Sequence, residues 1–149
     1  QLSAHAEDIL AALQVVIERN GLDCAAADML REAERHETLL GFNEGGRLRA
    51  LCVLRPKHNE RGERFADAYV FWYADFVRPE GKEKFMELVV RVAKTMKAAY
   101  IEAMADSRQW TVETYGRRSF WKPFKDVRHV RTLHVFHAAI PREHGENIW

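Results

Sequence analysis

Tyr69-Val70-Phe71-Trp72-Tyr73-Ala74-Asp75-Phe76-Val77-Arg78-Pro79-Glu80-Gly81-Lys82-Glu83-Lys84-Phe85 contains the change of period on which the fold turns. Residues 68–77 form an almost continuous aromatic and β-branched run. Such a run suits a strand covered on both faces, and so predicts the centre of a sheet. Pro79-Glu80-Gly81 then breaks the strand, and Phe85, Leu88, Val89, Val92 and Met96 recur at the spacing of one helical face to about residue 99.

On the N-terminal side, Ser3 precedes Ile9, Leu10, Leu13, Val16 and Ile17 at helical spacing, and Asn20-Gly21 supplies a left-handed stop. A second amphipathic helix is predicted from near Asp23, with Ala26, Ala27, Leu30 and Ala33 on one side, fading at Arg35 and His36. The period changes after Asn43-Glu44-Gly45-Gly46, where Leu48, Ala50, Cys52 and Leu54 alternate with Arg47, Arg49, Leu51 and Val53. Residues 39–42 and 48–54 therefore read as a hairpin, and the polar stretch 56–64 reads as a loop. On the C-terminal side, residues 100–104 suit a short strand, 109–117 a helix, 130–138 a closing strand and 141–149 an irregular tail. The sum is an α/β (α+β) chain in one domain over residues 1–149, a mixed, mostly antiparallel sheet flanked by helices.

The chain's 149 residues suit one hydrophobic core, and an apolar content of 47% is enough to fill it. A net charge of +1 argues against a dedicated nucleic-acid binder, whose affinity comes from neutralising phosphates. Cys24 and Cys52 fall in a predicted helix and a predicted strand, so two reduced, buried thiols are expected rather than a disulfide. No stretch approaches the ~20 apolar residues of a membrane span, and residues 1–8 do not have the pattern of a charged region followed by an apolar run. The expected location is the cytoplasm, with no membrane partner.

The turn at 77–85 also carries chemistry. Amides at a helix start and the positive end of the helix dipole attract an anion, glycine lets the anion approach the backbone, and lysines add charge. Gly81, Lys82 and Lys84 fit that role. A charged first turn of an ordinary surface helix is the alternative reading of the same residues.

Element order and the Val77-Arg78-Pro79-Glu80-Gly81-Lys82 turn together resemble the Gcn5-related N-acetyltransferases (GNAT). In that family a strand ending in Val-x-Pro feeds a glycine-containing basic loop and a helix whose N-terminal amides hold the pyrophosphate of acetyl-coenzyme A. This chain keeps one glycine of the usual pattern and sets Glu80 and Glu83 beside it. A second match aligns on Tyr115, with Ser107 at the usual Asn, Thr111 at the usual Ala and Ser119-Phe120 at the usual Gly-Phe.

The resemblance implies acyl transfer from acetyl-coenzyme A to an amine-bearing small molecule or protein. It assigns pantetheine contacts to the backbone of Phe76 and Val77 and pyrophosphate binding to Gly81, Lys82 and Lys84. Tyr115 would be the general acid for the departing thiolate, a role that suits a phenol with a pKa near 10; packing in the core beside Trp110 and Phe120 is its alternative. Asp75 would be the base, because a carboxylate within an aromatic run is costly to bury unless paired or used; an ion pair with Arg78 or another basic side chain is its alternative. Glu102, on the next predicted strand, is the second candidate base. Short phage-encoded relatives of the fold, some of them interaction or particle components, imply a non-catalytic alternative with a protein partner.

Other patterns are weaker. His129, His134, His137 and His144 cluster in sequence, but two histidines three apart on a strand face opposite sides, so no metal site is assigned. Residues 117–125 interleave Arg117, Arg118, Lys122 and Lys125 with Phe120, Trp121 and Phe124. That composition suits either single-stranded nucleic acid or a surface loop anchored by its aromatics.

Overall fold

The computed structural model describes residues 2–103, 130, 136 and 138–140. A 3₁₀ turn, Leu2–His5, leads into α1 (Ala6–Asn20), so Ser3 lies within that turn instead of capping the helix. Ile9, Leu13, Val16 and Ile17 form the buried stripe of α1. Gly21 ends the helix as expected, at φ 61°: its N–H donates to Glu18 O and that of Leu22 to Ile17 O, the paired bonds of a Schellman stop. α2 (Ala26–Ala33) starts three residues beyond the expected Asp23 and has no side-chain cap, which leaves Cys24 exposed in the preceding loop. Cys52 is buried as expected.

Four strands follow among the described residues, β1 (Glu37–Phe42), β2 (Leu48–His58), β3 (Arg64–Tyr73) and β4 (Ile101–Ala103), with α3 (Pro79–Thr95) between the last two. They lie side by side in the order β1-β2-β3-β4. The first two pairings are antiparallel, and β3 runs parallel to β4 over Ala66, Ala68 and the residue between them. The fold is thus the mixed, mostly antiparallel sheet with flanking helices read from the sequence.

The expected loop at 56–64 shrinks to a turn, because Pro56, Lys57 and His58 pair with Ala66, Phe65 and Arg64. These side chains are exposed at the sheet end, so polarity there marked solvent and not the absence of a strand. Asn59 closes the turn by accepting the N–H groups of Arg61 and Glu63 at its Oδ1, at 3.0 and 2.9 Å.

Helices cover both faces of the sheet. Phe85, Met86, Val89 and Ala93 of α3 pack on Ala50, Cys52, Leu54, Ala66 and Ala68. On the other face, Ile9, Leu13 and Val16 of α1 and Ala33 of α2 pack on Leu51, Val53 and Val70. The strand fully covered on both sides is therefore β2, where Leu51, Cys52, Val53 and Leu54 are all at 0% exposure. In β3, Tyr69, Phe71, Trp72 and Tyr73 are only half-buried. Their bulk signalled a strand correctly but overstated its burial. Each fully buried aliphatic side chain contributes about 1.5–3 kcal/mol of transfer free energy, so β2 anchors the domain.

Register shifts break the pattern of alternation twice. Val53 pairs with Val70 and Leu54 with Ala68, which leaves Tyr69 as an extra residue. Gly41 pairs with Ala50 and Phe42 with Leu48, which leaves Arg49 extra. The second bulge puts Leu48 on the α1 side with Leu51 and Val53, opposite Ala50, Cys52 and Leu54. Strict alternation from Leu48 is thereby corrected.

The helix expected at 109–117, the residue Tyr115, the basic-aromatic stretch 117–125, the four clustered histidines and the tail at 141–149 lie outside the described residues, as does most of the strand expected at 130–138. Among the described residues no helix is long and apolar enough to cross a membrane.

Candidate functional site

The segment joining β3 to α3 is built by its neighbours. β3 ends at Tyr73, four residues before the expected Val77, so Asp75, Phe76 and Val77 belong to the connection and not to the strand. Ala74 N–H donates to the carbonyl of the bulged Arg49 at 2.8 Å, and Arg49 Nη2 donates to the Asp75 carbonyl at 2.5 Å. Phe76 follows in the left-handed region at φ 63° with its side chain 98% exposed. A bulky residue costs on the order of 1–3 kcal/mol there, and such strain gathers at ligand sites.

Arg78 then returns to an extended conformation (φ −67°, ψ 151°), and Pro79 opens α3 at its first turn, where the missing N–H is harmless. No side chain caps this helix start. Helix geometry gives the amides of Glu80 and Gly81 no acceptor within α3, at the helix's positive pole, and both residues are exposed. Gly81 is exposed, and among the described residues a Cβ there would meet only Val77 Cγ1, at 3.4 Å, so these residues leave room over this backbone. Lys84 is exposed nearby, whereas Lys82 is half-buried with its ammonium 5.5 Å from the Tyr73 ring centroid. Tyr73 Oη donates to the Lys82 carbonyl at 3.4 Å, tying strand end to helix start. These donors fit a diphosphate. Glu80, exposed, and Glu83, half-buried, set negative charge beside it.

On the opposite side of the connection, an open cleft of about 350 Å³ is lined by Arg19 and Val15 of α1, Arg49 of β2, Trp72 of β3, and Asp75 and Phe76. Asp75 is 79% exposed, so the burial argument that singled it out fails. Its ion pair is with Arg19 Nη2, at 3.6 Å, so the expected alternative of a basic partner holds with Arg19 in place of Arg78. What sets Asp75 apart is its place: it stands between the helix start and the cleft, its backbone fixed by one arginine and its carboxylate faced by another.

Solved acetyltransferase structures share this arrangement of strands and helices. An aminoglycoside acetyltransferase from an uncultured soil metagenomic sample, in complex with sisomicin, matches at a TM-score of 0.64 and 10% identity, over 91% of this chain and 89% of its own. The chain has the GNAT fold. Glucosamine-6-phosphate N-acetyltransferase from Arabidopsis thaliana matches this fold at a TM-score of 0.59 and 10% identity, covering 92% of this chain and 95% of its own. Ribosomal-protein-alanine N-acetyltransferase from Brucella melitensis matches at 0.60 and 12% identity, covering 88% and 93%. No protein-family model and no curated protein matches the sequence.

Within this GNAT fold the sequence-assigned residues separate into two groups. Asp75, Phe76, Val77, Gly81, Lys82 and Lys84 are together in the connection and first turns of α3. Glu102 is elsewhere, on β4, where it pairs in register with Asp67 of β3. Asp67 precedes the end of β3 by roughly 20 Å of strand. Asp67 itself takes ion pairs from Arg55 at 2.9 Å and Lys57 at 3.3 Å. The sequence reading missed Arg19 and Arg49. Arg19 had a signal, a cation in the last turn of a helix just before its glycine stop. Arg49 shares its face with Leu51 and Val53 by plain alternation, but nothing in the sequence says that α1 brings Arg19 to that face.

Proposed function

We propose that this protein transfers an acetyl group from acetyl-coenzyme A to a primary amine on a small molecule or protein. The observation that carries the reading is the uncapped, glycine-containing start of α3, set one short connection away from a cleft that holds a carboxylate. The amides of Glu80 and Gly81, with Lys84 and the helix dipole, would bind the diphosphate, and the backbone of Phe76 and Val77 would steer the pantetheine. When bound, acetyl-coenzyme A supplies an activated acetyl thioester. Asp75 orients the amine and takes the proton it sheds as its nitrogen is acylated. Tyr115 is the sequence's candidate for protonating the departing thiolate, as the carbon–sulfur bond breaks.

A second reading keeps the fold and drops the chemistry. Glu80 and Glu83 oppose a phosphate, and Phe76 offers an exposed ring, as a protein-binding module would use. Thermal unfolding with and without ~1 mM acetyl-coenzyme A separates the two. A ligand present at 100 times its Kd stabilises the folded state by about 2.7 kcal/mol, a rise of roughly 5–10 °C for a domain of this size. The transferase reading predicts such a rise in the wild type and its loss in Gly81→Glu, which adds bulk and charge where phosphate binds. A rise in neither protein favours the interaction module.

A further inference from the structure

We propose that Arg19 and Arg49 bind an anionic group on the acceptor, so that the substrate is a small amine carrying a phosphate or carboxylate. The amine part of this statement rests on the transferase reading, whereas the anion site rests on the cleft alone. Two guanidinium groups and one carboxylate line that cleft among the described residues, a lining of net positive charge. Among the described residues Arg19 makes one side-chain contact, to Asp75 Oδ1 at 3.6 Å, and Arg49 makes one, to the Asp75 carbonyl at 2.5 Å. A guanidinium has five N–H donors in a fork that matches carboxylate and phosphate oxygens, so most of this donor capacity remains for a ligand.

The fold holds both arginines in place. Arg49 sits on the β2 bulge, with its own carbonyl accepting Ala74 N–H at 2.8 Å. Arg19 projects from the last turn of α1, just before the Gly21 stop, where the helix dipole favours a cation. Val15 and Trp72 give the cleft an apolar lining between the charges. The cleft is open to solvent, so it admits a free small molecule or the end of a longer chain.

The arrangement also couples anion binding to the base. The Arg19–Asp75 pair is exposed on both sides, 59% and 79%, and pairs of that kind contribute little. An incoming phosphate or carboxylate therefore takes Arg19 from Asp75 at small cost. The Asp75 carboxylate is then released to face the ammonium end of the same molecule. An amine without an anionic group leaves Asp75 paired.

The test uses two matched pairs on the full chain: phosphoethanolamine against ethanolamine, and β-alanine against propylamine. Binding is followed without acetyl-coenzyme A by the arginine Nε–Hε signals of a ¹⁵N-labelled sample, and acetylation is followed separately. We expect an anionic member to shift the Arg19 and Arg49 signals while its neutral-tailed partner does not; which anionic member does so separates phosphate from carboxylate. Arg19→Gln should weaken that binding about tenfold or more and leave the acetyl-coenzyme A thermal shift unchanged. Equal binding within each pair, no binding by any of the four, or unchanged binding in Arg19→Gln overturns the proposal. If acetyl-coenzyme A binds but the anionic amines do not, this inference fails and the transferase reading stands. If the anionic amines bind but acetyl-coenzyme A does not, the reverse holds.

Discussion

Gly41→Ala is expected to destabilise the protein through the contact that seats α3 on the sheet. Gly41 lies opposite Ala50 in β1 and β2, under the ring of Phe85. A Cβ at this position would stand 3.0 Å from Phe85 Cδ1 and 3.1 Å from Ala50 Cβ. Both are inside ordinary carbon–carbon contact, and neither neighbour is a loose side-chain end: Ala50 is on a central strand, and Phe85 is buried against Phe71 and Tyr73. Overpacking of this kind costs about 1–3 kcal/mol. Replacing glycine within a strand returns about 0.5–1 kcal/mol of backbone entropy. The net loss is therefore about 1 kcal/mol at the midpoints of these ranges and at most about 2.5 kcal/mol, a fall in Tm of roughly 2–4 °C at the midpoint for a chain of this length. Urea unfolding of the wild type, Gly41→Ala, Phe85→Leu and the double variant measures it. The added methyl should cost less in the Phe85→Leu background, with a coupling of about 0.5 kcal/mol or more. A Gly41→Ala protein as stable as the wild type, or a loss of the same size in both backgrounds, would refute the packing argument.

The two cysteines should differ in reactivity: under native conditions iodoacetamide labels the exposed Cys24, and Cys52 is labelled only on unfolding, as mass spectrometry of the two peptides would show. Burial pushes the Cys52 thiol well above its ordinary value of 9.0. The folded state thus keeps a proton that the unfolded chain loses, and the resulting stability is complete below about pH 9 and declines above it, by up to about 1.4 kcal/mol per pH unit. Urea midpoints measured from pH 8 to 10 should fall more steeply for the wild type than for Cys52→Ala; parallel profiles would contradict this. Tyr69, whose phenol is also raised by burial, adds a loss in the same direction above its ordinary value of 10.0, so Tyr69→Phe should flatten the profile at its alkaline end. Leu51→Ala should cost about 2–5 kcal/mol by opening a cavity between β2 and α1, and a loss below 1 kcal/mol would mean that the α1 face is loosely packed.

Much of the fold was legible because it rests on periodicity. The stripe Ile9, Leu13, Val16 of α1, the glycine stop at Gly21, and the change from Tyr73 to Phe85 through Pro79 all obey local rules, and the structure follows them. Boundaries failed where composition stood in for geometry. The polar residues Lys57 and His58 belong to a strand whose end is wet, and the aromatic run to Val77 outlasts its strand because Phe76 turns into a left-handed conformation. The site was half legible. A turn with Pro79 and Gly81 before an amphipathic helix predicts a helix start there, and the structure has one without a side-chain cap. The cleft was not legible, because Arg19, Arg49 and Asp75 come from α1, β2 and the β3–α3 connection, and only the packing of α1 on the sheet brings them together.

The measurement that tests the central claim most directly is a ¹H–¹⁵N amide map of the protein titrated with coenzyme A. The account predicts that the largest shifts fall on Val77, Arg78, Glu80, Gly81 and Lys82, with smaller ones at Asp75 and Phe76 and none at the Asn59 turn. Saturable shifts centred elsewhere, or an unchanged spectrum at millimolar ligand, would contradict it.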